Sequence, residues 1–295
     1  VTPAPLEIRS FAKINPALAV LGRRADGYHD IETVFQTIDL ADRLEFRESD
    51  RIGLRAENLP GVAEEENLAW KAAAAFAARF APGRGVALTL RKSIPTGAGL
   101  GGGSGNAAAV LLGLRRFWGV DAPDAALEEI AGALGSDVPF FLRGGTALGT
   151  GRGEILTPLP SPACAHLVVV HPGVHVPTGD AYRSLNLGLT SARRDHRIHR
   201  FCSRVKEGEP LPAEIFNDFE TSILSAYPPI REAKEFLEAR GATAVLLSGS
   251  GSSVFGFFPS EESTLAATRE TVRRPWRVFP ARTLSRAEYF QSMFG

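Results

Sequence analysis

Six of the nine residues 97–105 are glycine, and the segment runs straight into Asn106-Ala107-Ala108-Ala109. A backbone without Cβ atoms can approach a ligand closely, and a helix starting at its end directs unpaired N–H groups and a positive dipole end at that ligand. The combination suits a polyphosphate. A flexible linker would not lead directly into the apolar helix expected over 106–118, with Gly119 as its C-terminal cap. The rest of the chain must therefore be a scaffold that holds this loop against a second substrate.

Two packed domains fit within 295 residues, and 44% hydrophobic content can fill both cores. With 33 basic and 33 acidic side chains the net charge is zero, so no overall field draws the chain to nucleic acid or to an anionic membrane. Any anion must be held locally. Cys164 and Cys202 are the only cysteines and form no closely spaced ligand pair, which points to a reduced protein without zinc or redox chemistry. No apolar run approaches the ~20 residues needed to span a bilayer, and no basic stretch followed by an apolar core opens the sequence. A cytoplasmic location is the expectation.

Strands are expected at 6–11, 15–21 and 31–40 around a turn at Asp26-Gly27, a helix over 67–80, and a strand over 86–91 whose larger apolar residues alternate. A helix over 127–134, a glycine-rich hairpin over 144–153 and a proline-dotted stretch at 155–160 follow, the last placing a domain boundary between 1–158 and 159–295. Beyond it come a strand at 165–170, a helix at 230–239, strands at 243–247 and 254–258 around Gly249-Ser250-Gly251, and a helix at 261–272. Strands and helices mix without regular βαβ alternation, so the fold class is α+β.

No G-x-x-x-x-G-K-[ST] occurs, which excludes a Walker-type phosphate loop. Gly97-x-Gly99-x-x-Gly102 matches a dinucleotide-binding fingerprint, with Asp121 about twenty residues on, but the context is wrong. Pro95 interrupts the strand-to-glycine join, the preceding strand alternates, and Asp121 follows a helix end rather than a second buried strand.

Pro95-x-x-x-Gly99-Leu100-Gly101 followed by Gly102-Gly103-Ser104-x-Asn106-Ala107-Ala108 resembles the ATP-binding motif of the GHMP kinases, in the longer form of the members that act on 4-diphosphocytidyl-2-C-methyl-D-erythritol. Ala12-Lys13-Ile14-Asn15 and Arg24-Ala25-Asp26-Gly27-Tyr28-His29 resemble the first motif of that family. Gly135-Ser136-Asp137-Val138-Pro139-Phe140-Phe141 resembles the segment carrying its catalytic aspartate, and Leu247-Ser248-Gly249-Ser250-Gly251-Ser252-Ser253-Val254-Phe255 its third motif. Two departures stand out. Gly105 replaces the second of two adjacent serines, removing a hydroxyl near the phosphates or magnesium and leaving Ser104 to serve, and Pro16 interrupts a strand, suggesting an edge or a bulge.

The resemblance implies a two-domain fold, with an N-terminal domain like domain 2 of ribosomal protein S5 and a ferredoxin-like C-terminal domain. It implies transfer of the γ-phosphoryl of ATP to a 2-hydroxyl, with magnesium carried by ATP and no residue named as its ligand. Asp137 would be the general base and touch the substrate; Lys13 would orient it and offset developing charge. Taken alone, Asp137 reads equally as a cap before a proline and Lys13 as a surface charge; the agreement of three separated motifs selects the catalytic roles. Asn15 would position the phosphates or the attacking hydroxyl. Pro95, Gly97, Gly99, Leu100, Gly101, Gly102, Gly103, Ser104, Gly105 and Asn106 would contact ATP, with Asn67 and Lys92 on its nucleoside. Tyr28 and Tyr182 would stack on cytosine, His29 would read its edge, and Thr178 would add a secondary contact.

His171 and His175 are not expected to share a metal, because Pro172 disfavours the helix that would bring them together. The basic run 193–200 suits a solvated face or the neighbourhood of an anionic substrate. Two alternatives remain: a GHMP kinase for another alcohol such as homoserine, mevalonate or a sugar, or a non-catalytic nucleotide- or RNA-binding protein on the same fold. Tyr28-His29 and the Gly102-Gly103 extension weigh against the first, and Lys13 with Asp137 against the second. Oligomeric state is not legible.

Overall fold

A computed structural model describes residues 4–59, 61–185, 195–209, 211, 214–269 and 275–295. Its spine is an antiparallel pair, β1 (Leu6–Arg23) and β2 (His29–Ser49), in register from Leu6 opposite Phe46 to Arg23 opposite His29. Both strands outrun the segments expected from alternation, because the breaks in the pattern are bulges within continuous strands rather than loops. One bulge explains Pro16. Ile14 pairs with Gln36 and Ala17 with Val34, so residues 15 and 16 together face Phe35, and the proline's missing N–H falls where the ladder is already interrupted.

Among the described residues the first sheet has seven strands. β3 (Gly53–Glu57), β4 (Gly85–Arg91), β2, β1 and β8 (Phe216–Asn217) lie side by side, while β5 (Thr146–Thr150) pairs with β2 and with β6 (Ile155–Leu159). β4 buries alternate residues, as its sequence predicts. Helices α1 (Leu68–Phe80), α2 (Gly102–Trp118), α3 (Asp124–Leu134) and α4 (Val138–Arg143) close a core in which Phe11, Phe46, Phe76, Phe140 and Phe141 are fully buried.

The second sheet orders β11 (Arg277–Arg282), β7 (His166–His171), β10 (Val254–Phe258) and β9 (Ala244–Leu247), all antiparallel. The long connection from β7 to β9 passes through β8 of the first sheet and ends in helices α7 (Glu220–Ala226) and α8 (Pro228–Ala239), and α9 (Glu261–Arg269) connects β10 to β11. This is the ferredoxin-like arrangement. Period-two alternation sends Val168, Val170, Val245 and Leu247 against α8, while Leu167, Val169, Leu246 and Phe255 meet Ala12, Ile14, Ile38 and Leu100 from the first sheet and its glycine loop. The two sheets are thus joined by a shared apolar layer.

Residues beyond 158 serve both cores. β8 runs parallel to β1, and α10 (Arg286–Phe294) packs against β1, burying Tyr289 and Met293 in the first core. Ser285 caps α10 in a reciprocal capping box with Glu288, whose carboxylate also accepts from Arg282 Nη1 at 2.7 Å. The Arg282 bond, then the Ser285 backbone and side chain, hold Glu288 down to about 2 from an ordinary 4.5. A carboxylate depressed in this way stabilises the fold above its unfolded pKa, and the contribution is lost as pH falls toward the folded value. Glu288→Gln is therefore expected to lower the melting temperature at neutral pH, with the gap from wild type closing between pH 4.5 and about 2; a gap independent of pH would exclude this charge as the cause.

Two further helices are α5 (Thr178–Ser184) and α6 (His196–Lys206). Of the basic run, residues 193 and 194 lie outside the described residues, Asp195 caps α6, Arg197 pairs with Asp195 and Asp218, and Arg200 pairs with Glu214. The described part of the run is a neutralised helix face. Among the described residues no helix is long and apolar enough to cross a membrane.

Candidate active site

Helix α2 begins at Gly102, ahead of the start expected at Asn106, so the last glycines form its first turn. Glycine is a poor helix former, but packing overrides the propensity here. A Cβ on Gly105 would lie 2.8 Å from the Phe11 carbonyl oxygen and 3.2 Å from Ser10 Oγ, so position 105 faces β1 beneath the helix. This corrects the expectation that Gly105 removes a hydroxyl from the phosphate side. Ahead of the helix, Gly97, Gly99 and Gly101 adopt φ of 65, 77 and 67°, a left-handed conformation that glycine enters without strain.

The turn between β9 and β10 meets this loop. Ser253 N donates to the Ala98 carbonyl at 3.1 Å, and Ser248 Oγ donates to the Gly99 carbonyl at 3.0 Å. A Cβ on Gly99 would stand 2.0 Å from the Ser248 carbonyl oxygen, so the contact requires glycine. The third motif thus reaches the glycine loop from the second sheet.

Lys13 lies on β1, its backbone N–H donating to the Leu100 carbonyl at 3.0 Å. Its ammonium donates to Asn15 Oδ1 at 2.7 Å and to the Gly99 carbonyl at 2.9 Å, and stands 3.7 Å from Asp137 Oδ2. Burial pushes the Lys13 ammonium below its ordinary value, while the Asp137 charge opposes that shift. Asp137 occupies the N-cap position of α4, yet its side chain makes no capping hydrogen bond. The carboxylate is directed instead to Lys13 and the cleft, which separates it from the plain cap its sequence context also allowed.

That cleft has a volume of 1020 Å³. Lys13, Asn15, Asp137, Gly97, Gly99 and Gly101 line it. Tyr28, His29, Thr178 and Tyr182 also line it, so residues far apart in sequence converge on one space. Tyr28 is 57% exposed, with the Arg152 guanidinium 4.8 Å from its ring centroid, and can offer a stacking surface. The His29 and Tyr182 rings stack on each other, centroids 4.4 Å apart at 15°, while Phe219 packs edge-on against Tyr182. His29 thus takes one face of Tyr182, an arrangement that the expected stacking of Tyr182 on a base did not include, and the tyrosine backs the histidine. Burial, then the Asp137 charge, push the Tyr182 hydroxyl up to about 12; burial, then Arg23, lower His29. Thr178 Oγ1 lies 3.4 Å from Ser250 Oγ.

Other expected nucleotide contacts sit behind the loop. Lys92 is buried in an ion pair with Asp42 and donates to Asn106 Oδ1 at 3.0 Å; Asn106 Nδ2 donates to Asp42 Oδ2 and Ser10 Oγ, each at 2.9 Å. Asp42 Oδ1 accepts from the backbone N–H of Ser93 and Ile94. Two of the three Lys92 N–H donors and both ends of the Asn106 amide are taken by protein partners, and neither residue lines the cleft, so these two side chains brace the loop. Asn67 caps α1, accepting from Ala69 N at 2.9 Å. Pro95, Leu100, Gly102, Gly103 and Ser104 complete the loop and the first turn of α2 without lining the cleft.

Sequence reasoning missed Thr33, Phe35, Ser136 and a set of cations, Arg23, Arg152 and Arg183, that also line the cleft. Arg152 carried a signal, set between Gly151 and Gly153 in the hairpin; Thr33 and Phe35 looked like ordinary strand residues. Among the described residues no group of three or more His, Cys, Asp or Glu could hold a metal ion.

Two family models match the chain, "GHMP kinases N terminal domain" over residues 67–145 and "GHMP kinases C terminal" over 206–277, which sets its class. The 4-diphosphocytidyl-2-C-methyl-D-erythritol kinase of Geobacter sulfurreducens is 41% identical over 281 residues, 95% of this chain and 99% of the relative. That of Geobacillus kaustophilus is 42% identical over 85% of this chain and 87% of its own. A crystal structure of 4-(cytidine 5'-diphospho)-2C-methyl-D-erythritol kinase superposes with a TM-score of 0.79 at 36% identity, covering 94% of this chain and 99% of that one. The chain belongs to the GHMP kinases and, within them, to the family of 4-diphosphocytidyl-2-C-methyl-D-erythritol kinases. A homoserine kinase from Cytophaga hutchinsonii, at 20% identity and a TM-score of 0.69, shares the fold.

Proposed function

We infer that this protein transfers the γ-phosphoryl of ATP to the 2-hydroxyl of 4-diphosphocytidyl-2-C-methyl-D-erythritol, giving the 2-phosphate and ADP. The observation that carries the chemistry is the meeting of Lys13 and Asp137, 3.7 Å apart, beside a glycine loop at a helix N-terminus. Asp137 accepts the hydroxyl proton as the new O–P bond forms, and the bond to the bridging oxygen breaks with its electron pair leaving on ADP. Lys13 orients Asp137 and offsets charge on the transferring group. The loop backbone at Gly97, Gly99 and Gly101, at the positive end of α2, holds the phosphates.

Tyr28 stacks on cytosine, His29 reads its edge with Tyr182 behind it, and Arg23, Arg152 and Arg183 offer positive charge to the substrate diphosphate. Magnesium keeps several waters and takes few protein ligands when it travels with phosphates. Asp137, the carboxylate beside the loop, fits such an ion carried by ATP. The partners are these two small molecules, in the cytoplasm, with no role for nucleic acid or membrane.

The test is ADP release from magnesium-ATP with 4-diphosphocytidyl-2-C-methyl-D-erythritol, homoserine, mevalonate or galactose. Release with the cytidyl compound alone is expected. Release with another alcohol would keep the catalytic pair and overturn the roles of Tyr28 and His29; silence with all four would sink the catalytic assignment.

A further inference from the structure

Lysine has three N–H donors, and Lys13 spends two on neutral acceptors, Asn15 Oδ1 and the Gly99 carbonyl, leaving the third for Asp137 and the cleft. The direction of that third bond depends on where the other two acceptors stand. Gly99 is fixed by the backbone and by Ser248. Asn15 is a side-chain amide in a bulge, and its two ends, oxygen and nitrogen, have nearly the same shape. Only one way round gives Lys13 an acceptor.

Thr33, buried on β2, decides which. The Ala17 carbonyl can only accept, so the Thr33 hydroxyl must donate its single proton there, at 2.9 Å. With that proton used, Thr33 Oγ1 can only accept, and the Asn15 atom 2.9 Å away must be Nδ2. Oδ1 is then forced to face Lys13. The chain of single-choice bonds runs from a backbone carbonyl to the ammonium.

We propose that Thr33 is a positioning residue for phosphoryl transfer: its hydroxyl sets the orientation of the Asn15 amide and thereby the place where the Lys13 ammonium meets Asp137. This rests on Lys13 and Asp137 being the catalytic pair. Without the hydroxyl, the amide either leaves Nδ2 unpaired or turns a donor toward an ammonium that itself can only donate.

Thr33→Val keeps the side-chain shape and removes the hydroxyl; Thr33→Ser keeps the hydroxyl and removes the methyl. Turnover should follow the hydroxyl, and thermal stability the volume. For Thr33→Val, kcat is expected to fall about tenfold with KM for ATP and for the cytidyl alcohol little changed, since only the fit of the reacting groups is disturbed. Thr33→Ser is expected to restore most of that loss. Should the valine variant not fold, Thr33→Ala against Thr33→Ser makes the same comparison with the methyl absent from both. A hydroxyl-free variant with wild-type kcat, or a serine variant as slow as its hydroxyl-free counterpart, would overturn the role of Thr33 while leaving the catalytic pair intact. An inactive wild type would overturn both, and is measured first.

Discussion

Asp137→Ala should bind ATP nearly as well as wild type and lose about 10³-fold in turnover, the middle of the range for removal of a general base. The separation follows from where Asp137 sits. Its side chain makes no capping bond to α4, so alanine removes no helix contact, and the glycine loop proposed to receive the phosphates is built from other residues. What is lost is the proton acceptor and the counter-charge to Lys13 at 3.7 Å. Burial already lowers the Lys13 pKa, and Asp137 is the group opposing it, so the variant ammonium should titrate lower still. Calorimetric titration with nucleotide, alongside steady-state ADP release, tests the split. Near-normal turnover would remove Asp137 from the base role.

Asp42→Ala should cost about 3–5 kcal/mol of folding stability, the usual penalty for leaving one partner of a buried ion pair uncompensated. Asp42 is fully buried, and Lys92 beside it is 8% exposed. One carboxylate serves Lys92, Asn106 and the backbone N–H groups of Ser93 and Ile94, so alanine orphans several donors at once. Burial already lowers the Lys92 pKa against the pull of Asp42, with Arg277 adding to the lowering. Urea unfolding measures the loss, which is a large fraction of an ordinary domain's ~5–15 kcal/mol. Adding Lys92→Met to Asp42→Ala should recover part of it, because removing both charges is far cheaper than removing one. An unchanged urea midpoint in the single variant would contradict the account.

Local pattern revealed the elements whose stability is local. The alanine-rich stretch that becomes α1, the alternation of β4 and the Gly249-Ser250-Gly251 turn each show their form in a few residues. Pro16 announced its bulge. The start of α2 was hidden because glycine signals a loop, and only contact with Phe11 and Ser10 on another strand explains a helix at Gly102. Resemblance marked Lys92 and Asn106 as belonging near the nucleotide, but not that Asp42 would absorb their polar atoms; a side chain's partners are set by the tertiary fold. The same holds for Tyr182, whose motif position suggested stacking and whose ring is already stacked, on His29. Thr33 gave no signal at all, since its importance lies in one proton.

The return of α10 to the first core has a consequence for how the chain is made. Synthesis proceeds from the N-terminus, and domains generally fold in that order. Here the largest apolar cluster, built on β1, β2 and α2, stays open on one side until Leu284, Tyr289 and Met293 have been added. The ferredoxin-like sheet is therefore finished before the body that precedes it. Until then the nascent first half holds an unsealed apolar face, and the last helix acts as the bolt that closes a door opened some two hundred and eighty residues earlier.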